Sequence, residues 1–299
     1  MADRLIFDCA GQRATIALTD AHAPRTLAAV RSILPVAVTI HCSKIAGAHL
    51  YWPTPILERL EHGADIHALP AGSFLYYPDR QYLEITYDAL QAETAAVSLL
   101  GRFEGDLAWL RDLGEDNRRR SGQRILTARL SAEGEGDAPP AVPDAADATG
   151  PLAALRTARR AAWAAEPDEL RALLRREGLN IPLGPVVTAE GEFRRTQELL
   201  WRLWRNDNGH DDALRAAMAR EALELTLARV VGYCHLHEAG AALEAGHAAL
   251  GRPGADVGEV LGELVLYCGR MAGWLDLHVP WWEANEIARR NVAAEGEPA

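Results

Sequence analysis

The sequence predicts an α+β protein: an antiparallel β-barrel with two helices over residues 1–130, a flexible linker over 131–151, and an α-helical bundle over 152–299. Three observations carry that expectation. Short alternating apolar runs, punctuated by turn residues, fill the first half. The stretch "SAEGEGDAPPAVPDAADATGP", Ser131 to Pro151, has almost no large apolar side chain and cannot bury enough surface to offset its ordering entropy. Beyond it, apolar residues recur at helical spacing.

The strands come first. "RLIFDC" and "RATIALT" are separated by "AGQ", a hairpin spacing that contains Gly11. "DAHAPRTLAAVRSILP" follows with an Asp20/His22 start, Pro24 near the first helical position and Leu27, Val30, Ile33 and Leu34 on one face, a helix ended by Pro35. The runs "VAVTIH", "AHLYW", "ADIHAL", "SFLYYP", "YLEITY" and "AVSLLGRF" read as further strands. A helix over "GDLAWLRDLGEDNRR" and a last strand near "RILTARL" complete the half. Many strands with two helices point to a closed or nearly closed antiparallel barrel.

The helical half begins with "EPDELRALLRREG", which has Asp168 and Glu169 in its first turn and Gly178 beyond its basic end. "EFRRTQELLWRLWRND" sets Phe193, Leu199, Leu200, Leu203 and Trp204 at helical spacings. Two long helical segments follow, "DDALRAAMAREALELTLARVVGYCHLHEAGAALEAGHAAL" over 211–250 and "DVGEVLGELVLYCGRMAGWLDLHVPWWEANEIARRN", the second kinked by Pro280.

Composition excludes several functions. A net charge of −11 disfavours a phosphate-backbone partner, so no nucleic-acid binding is expected. No apolar run reaches the ~20 residues of a membrane span. The opening "MADRLIFDCAGQR" is interrupted by Asp8, unlike a secretory signal, and a cytoplasmic protein is expected. Cys9, Cys42, Cys234 and Cys268 lack CxxC spacing and read as reduced, buried thiols. His235, His237 and His247 lie at spacings that do not bring two ligands to one helix face, so no metal is expected. No glycine-rich phosphate loop is present, and no cofactor is expected.

One strand raises a chemical question. In "YLEITYD", Leu83, Ile85 and Tyr87 share one face, and Tyr82, Glu84 and Thr86 the other. The plain reading of the second face is a wet one. Lys44 is also unusual, because it is the only lysine among 31 basic side chains.

The first half resembles cyclophilin-like domains, through "IALTDAHAPRTLAAVRSILP", "KIAGAHLYW", "GSFLYYPDRQYLEITYD" and "FEGDLAWLRDLGEDNRRRSGQRIL". It is similar to a bacterial cyclophilin-like family with R-W-S-G-E-A and G-E-I-L-F-Y-P patterns. A barrel of this kind followed by a helical bundle resembles cucumopine synthase and the bacterial enzymes that make β-carbolines by Pictet–Spengler condensation. In this comparison Lys44 matches the family's basic residue and Glu84 its strand carboxylate. The chain departs at Ile45, Ala46 and Ala48, which stand where the family has Trp, Ser and Glu. The Arg, Phe and Gln cluster of prolyl isomerases is not found.

The resemblance implies condensation of an aromatic amino acid, Trp or His, with an α-keto acid or aldehyde. Glu84 is then the general base that removes the ring proton. Lys44 either anchors a substrate carboxylate or assists proton transfer; a Schiff base on Lys44 itself is unnecessary. Tyr82, Thr86, Tyr77 and Trp52 are expected around the substrate, with Tyr76 as a further ring, although strand aromatics are more often core. Arg102 and Arg59, and beside them Arg80, are candidates to hold a carboxylate. The alternative is a non-catalytic small-molecule binding protein on the same scaffold. The bundle tryptophans, Trp201, Trp204, Trp274, Trp281 and Trp282, read first as core, with "HVPWWEAN" marking a dimer contact or a lid, and a homodimer is expected.

Overall fold

The computed structural model describes residues 4–91, 95–134, 149–176 and 183–295. The chain divides into two compact units, Met1–Ala141 with Leu277–Ala299, and Val142–Asp276.

In the first unit the strands are β1 (Arg4–Cys9), β2 (Gln12–Leu18), β3 (Val36–Cys42), β4 (Gly47–Pro53), β5 (Ala64–Asp65), β6 (Ser73–Tyr77), β7 (Tyr82–Leu90), β8 (Ala96–Phe103) and β9 (Leu126–Ala132). They are joined in the order β2-β1-β9-β3-β4-β7-β6-β8, and β2 pairs again with β8, so eight antiparallel strands close on themselves. The short β5 is added to β8. Closure leaves these strands no open edge. The barrel is the cyclophilin-like architecture that the first half of the sequence resembles.

The alternation in the sequence decides what fills the barrel. Leu5, Phe7 and Cys9 of β1 point inward with Leu50 and Trp52 of β4 and Leu83, Ile85 and Tyr87 of β7. Trp52 stacks on Phe7 and Phe74, with ring centroids 5.8 and 6.2 Å apart. The seam between β2 and β8 needs a glycine: a Cβ on Gly101 would lie 2.1 Å from the Ala17 carbonyl oxygen.

Helix α1 (Pro24–Ser32) buries Leu27 and Val30 in the same core. Its start differs from the sequence expectation. Ala23 is the N-cap residue and gives no side-chain hydrogen bond. Glu61, remote in sequence, accepts instead from the Thr26 amide and hydroxyl, both at 2.7 Å. Helix α2 (Leu107–Arg119) is capped by Asp106, which accepts from the Ala108 amide, and buries Leu110 and Leu113.

The regular structure among the described residues of the second unit is helical: α3 (Pro151–Ala164), α4 (Asp168–Leu174), α5 (Leu183–Arg205), α6 (Asp212–Val230), α7 (His237–Leu250) and α8 (Val257–Asp276). Helix α8 is the centre, buried at nearly every position from Val260 to Asp276. Ion pairs of Arg156 with Glu259 and of Arg159 with Glu263 tie α3 to it. Arg270 is buried on α8 with its guanidinium 3.8 Å from the Trp274 ring centroid and 5.2 Å from that of Trp163. Burial lowers its pKa to about 10, which leaves it charged at neutral pH.

Three boundaries differ from those expected. The long helix over 211–250 breaks into α6 and α7, and His235 sits in the break with φ +56°. Pro280 separates two helices instead of kinking one: α8 stops at Asp276 and α9 (Trp281–Glu295) begins after it. Residues Leu277–Ala299 group with the barrel, although composition assigned them to the bundle. The contacts responsible are local. Ser121 Oγ accepts from the Trp282 amide at 3.1 Å, and Gln123 Nε2 donates to Glu283 Oε1 at 2.7 Å. Of the expected linker, Ser131 and Ala132 close β9 and Pro151 opens α3, while 135–148 lie outside the described residues.

Candidate active site

The strand β7 sends Leu83, Ile85 and Tyr87 inward, and so turns Tyr82, Glu84 and Thr86 to the other face. That face is not wet. All six residues from Tyr82 to Tyr87 are buried, and Glu84 is only 2% exposed.

The registers say what surrounds it. Glu84 is the Cα partner of Tyr51 on β4 and of Leu75 on β6. Thr86 is paired with His49, and Tyr51 in turn with His41 on β3. Directly paired residues share a face, so His41, His49, Tyr51, Tyr82, Glu84 and Thr86 form one patch across three strands. Three of its rings are stacked: Tyr51 lies 4.6 Å from Tyr82 and 5.1 Å from His41, centroid to centroid.

His49 Nε2 is 3.9 Å from Glu84 Oε2. Their contact is not an ion pair. Burial, and then the charges of Lys44 and Arg118, push the His49 pKa down to about 4, so a neutral imidazole faces the carboxylate at pH 7. His49 Nδ1 is buried with no hydrogen-bond partner among the described residues.

Lys44 reaches the patch from the loop between β3 and β4. Gly47 closes that loop at φ +89°, a conformation that favours glycine. Its amide donates to Ser43 Oγ at 2.9 Å, and its carbonyl accepts from Arg118 Nη2 of α2 at 2.9 Å. So held, Lys44 Nζ donates to Tyr51 Oη at 2.8 Å. It also lies 5.5 Å from the Tyr51 ring centroid and 5.6 Å from that of Trp281 on α9.

The residues singled out from sequence are thus divided. Glu84, Lys44 and Tyr82 come together. Thr86 is on the same face, but its hydroxyl accepts from the Ser73 amide and donates to the Pro70 carbonyl, which pins the start of β6. Tyr77 is half-buried against the small cluster of Ile66, Leu75 and Val97. Trp52 corrects the expectation: one residue along β4 from Tyr51, it faces the barrel interior and is fully buried between Phe7 and Phe74. Tyr76 is core as well, its hydroxyl donating to the Ile56 carbonyl. Arg102 on β8, the Cα partner of Ser73, is exposed, and so is Arg59. Arg80 is half-buried.

Sequence reasoning missed His41, His49 and Tyr51, while Trp281 belongs to the "HVPWWEAN" stretch that it marks as a dimer contact or a lid. The signal for the first three is the parity of "VTIHC" and "AHLYW" against "YLEIT", which becomes legible only with the strand register. No group of three or more His, Cys, Asp or Glu side chains among the described residues is arranged to hold a metal ion. His235 and His237 do approach, with ring centroids 6.1 Å apart, because the helix breaks between them. No helix among the described residues is long and apolar enough to cross a membrane.

No family model matches the chain, and no curated protein sequence is similar to it. Among solved structures, that of McbB in complex with tryptophan matches with a TM-score of 0.76 at 17% identity, covering 95% of this chain and 99% of that one. The solution structure of the hypothetical protein AF2241 from Archaeoglobus fulgidus matches with a TM-score of 0.33 at 18% identity, covering 44% of this chain and 95% of that one. The chain has the fold of McbB.

Proposed function

We propose that this protein is a cofactor-free Pictet–Spengler enzyme, which condenses an aromatic amino acid, Trp or His, with an α-keto acid or an aldehyde. The observation that carries the reading is Glu84: a carboxylate sheltered on the barrel wall, beside a neutral imidazole and a stack of aromatic rings. The fold shared with a protein solved with tryptophan, and the sequence resemblance to β-carboline-forming enzymes, support an aromatic amino acid as substrate.

The chemistry follows from the groups available. The amine of the amino acid attacks the carbonyl carbon and, on loss of water, gives an iminium ion. The electron-rich ring carbon attacks that carbon and closes the new ring. Glu84 then takes the proton from the attacked ring carbon and restores aromaticity; a base so placed typically contributes about 100- to 10,000-fold in rate. The flat faces of Tyr51 and Tyr82 suit an aromatic substrate ring. Lys44 supplies a positive charge for the carboxylate of a keto acid. The net change is loss of one water, so no redox partner takes part.

The reading includes a cytoplasmic homodimer, which light scattering of the purified protein checks for its oligomeric part. The direct test of function incubates the protein with tryptophan or histidine and either 2-oxoglutarate or a simple aldehyde. A product with the summed mass less one water is expected. Saturable binding of the amino acid with no such product from any pair assigns the scaffold to ligand binding instead.

A further inference from the structure

The proposed condensation needs a second proton-transfer group. Loss of water from the carbinolamine requires a proton on the departing oxygen, and a carboxylate acting as base has none to give. His49 does not supply it: with its pKa depressed to about 4, only about one molecule in a thousand carries the extra proton at pH 7.

We infer that Tyr51 is a further catalytic residue, the general acid that protonates the departing oxygen, with the Lys44 ammonium stabilising the phenolate that remains. The inference rests on the condensation proposed above.

Four features of the geometry lead to it. An ammonium has donors and no acceptor, so in the 2.8 Å contact Lys44 Nζ donates and Tyr51 Oη accepts. The phenolic proton therefore points away from Lys44. Tyr51 is the direct cross-strand partner of Glu84 on the same face, which sets acid and base on opposite sides of one strand gap. Its ring is stacked between His41 and Tyr82, so the hydroxyl is held in place and not left to swing. Lys44 is itself held, because Gly47 and Arg118 fix its loop and its Nζ lies 5.6 Å from the Trp281 ring centroid.

The steps balance. The amine nitrogen bonds to the carbonyl carbon to give a neutral carbinolamine. Tyr51 Oη–H passes its proton to the carbinolamine oxygen, the C–O bond breaks, and water leaves together with an iminium ion and a Tyr51 phenolate beside Lys44. The ring carbon then bonds to the iminium carbon, and Glu84 takes the proton displaced from that ring carbon. Return of this proton from the Glu84 carboxyl to the phenolate, directly or through water, resets both groups. One water is formed, and no electrons are exchanged with any other reagent.

The test separates dehydration from ring closure. Wild type, Tyr51→Phe and Glu84→Gln are each mixed in excess over tryptophan and a carboxylate-free aldehyde, then quenched at intervals with cyanoborohydride, which traps the imine as a secondary amine read by mass. Tyr51→Phe keeps the ring stack and loses only the hydroxyl. Its enzyme-dependent appearance of both trapped imine and cyclised product should fall on the order of 100-fold, with tryptophan affinity within about twofold of wild type. Glu84→Gln should do the opposite and accumulate trapped imine. If Tyr51→Phe loses its thermal transition or its tryptophan affinity, Lys44→Met carries the test with the same aldehyde, where a slowed dehydration of about 10-fold or more is expected. Imine formation at the wild-type rate in a folded Tyr51→Phe protein, or failing that in Lys44→Met, overturns the assignment and leaves the condensation standing. Wild-type protein that condenses no pair at all overturns both.

Discussion

His49 and Glu84 approach within 3.9 Å on a buried face of the barrel, and the histidine is held there neutral. This arrangement ties stability to pH. The folded-state pKa of His49, about 4, is depressed below the ordinary histidine value of 6.5, so the unfolded chain binds the proton more readily. The contribution is present in full above the unfolded value and is lost as pH falls from about 6.5 to 4. Across that window the loss is on the order of 3 kcal/mol. Urea midpoints should therefore fall steeply across that window in the wild type and less so in His49→Gln.

Trp52 and Tyr51 are adjacent in sequence and face opposite ways, and their substitutions should separate accordingly. Trp52→Ala removes a fully buried ring from between Phe7 and Phe74 and should cost about 3–5 kcal/mol of stability, read as a lowered urea midpoint. Tyr51→Phe should leave that midpoint within about 1 kcal/mol of wild type, since one hydroxyl hydrogen bond is lost.

The barrel seam gives a sharper structural prediction. In Gly101→Ala the new methyl group meets the Ala17 carbonyl oxygen at 2.1 Å, and the obstacle is backbone, not a side chain that can turn aside. Closure of β2 on β8 should fail or open locally. Hydrogen exchange at the amides of Ile16 to Leu18 is expected to quicken by at least 10-fold, a loss of protection of about 1.4 kcal/mol or more.

Arg118 holds the Lys44 loop by its bond to the Gly47 carbonyl. Arg118→Met should loosen that loop and raise KM for a keto acid substrate several-fold, with a smaller effect for an uncharged aldehyde. Steady-state kinetics with the two carbonyl partners checks this.

Much of this was written in the sequence, and the remainder has physical reasons. The alternation of "YLEITYD" was enough to place Glu84 opposite the core residues Leu83, Ile85 and Tyr87. The alternation of β4 is regular from His49 to Pro53, so Tyr51 and Trp52 face opposite ways, but alternation alone does not say which of its two faces lies beside Glu84; the pairing of Tyr51 with Glu84 decides that. Arg59 and Arg102 were named for their charge, but charge does not reveal which face of a strand or loop is sheltered. The place of α9 was hidden for a different reason. Its composition is that of any bundle helix, and its attachment to the barrel unit is visible in contacts such as those of Trp282 with Ser121 and Glu283 with Gln123.

The role of Glu84 is tested most directly by the rate of cyclised product in Glu84→Gln against wild type, under saturating tryptophan and aldehyde. The amide keeps the shape and removes the basic oxygen, so the rate should fall by about 100- to 10,000-fold while tryptophan still binds. A variant that forms product at the wild-type rate would contradict the assignment of Glu84 as the base.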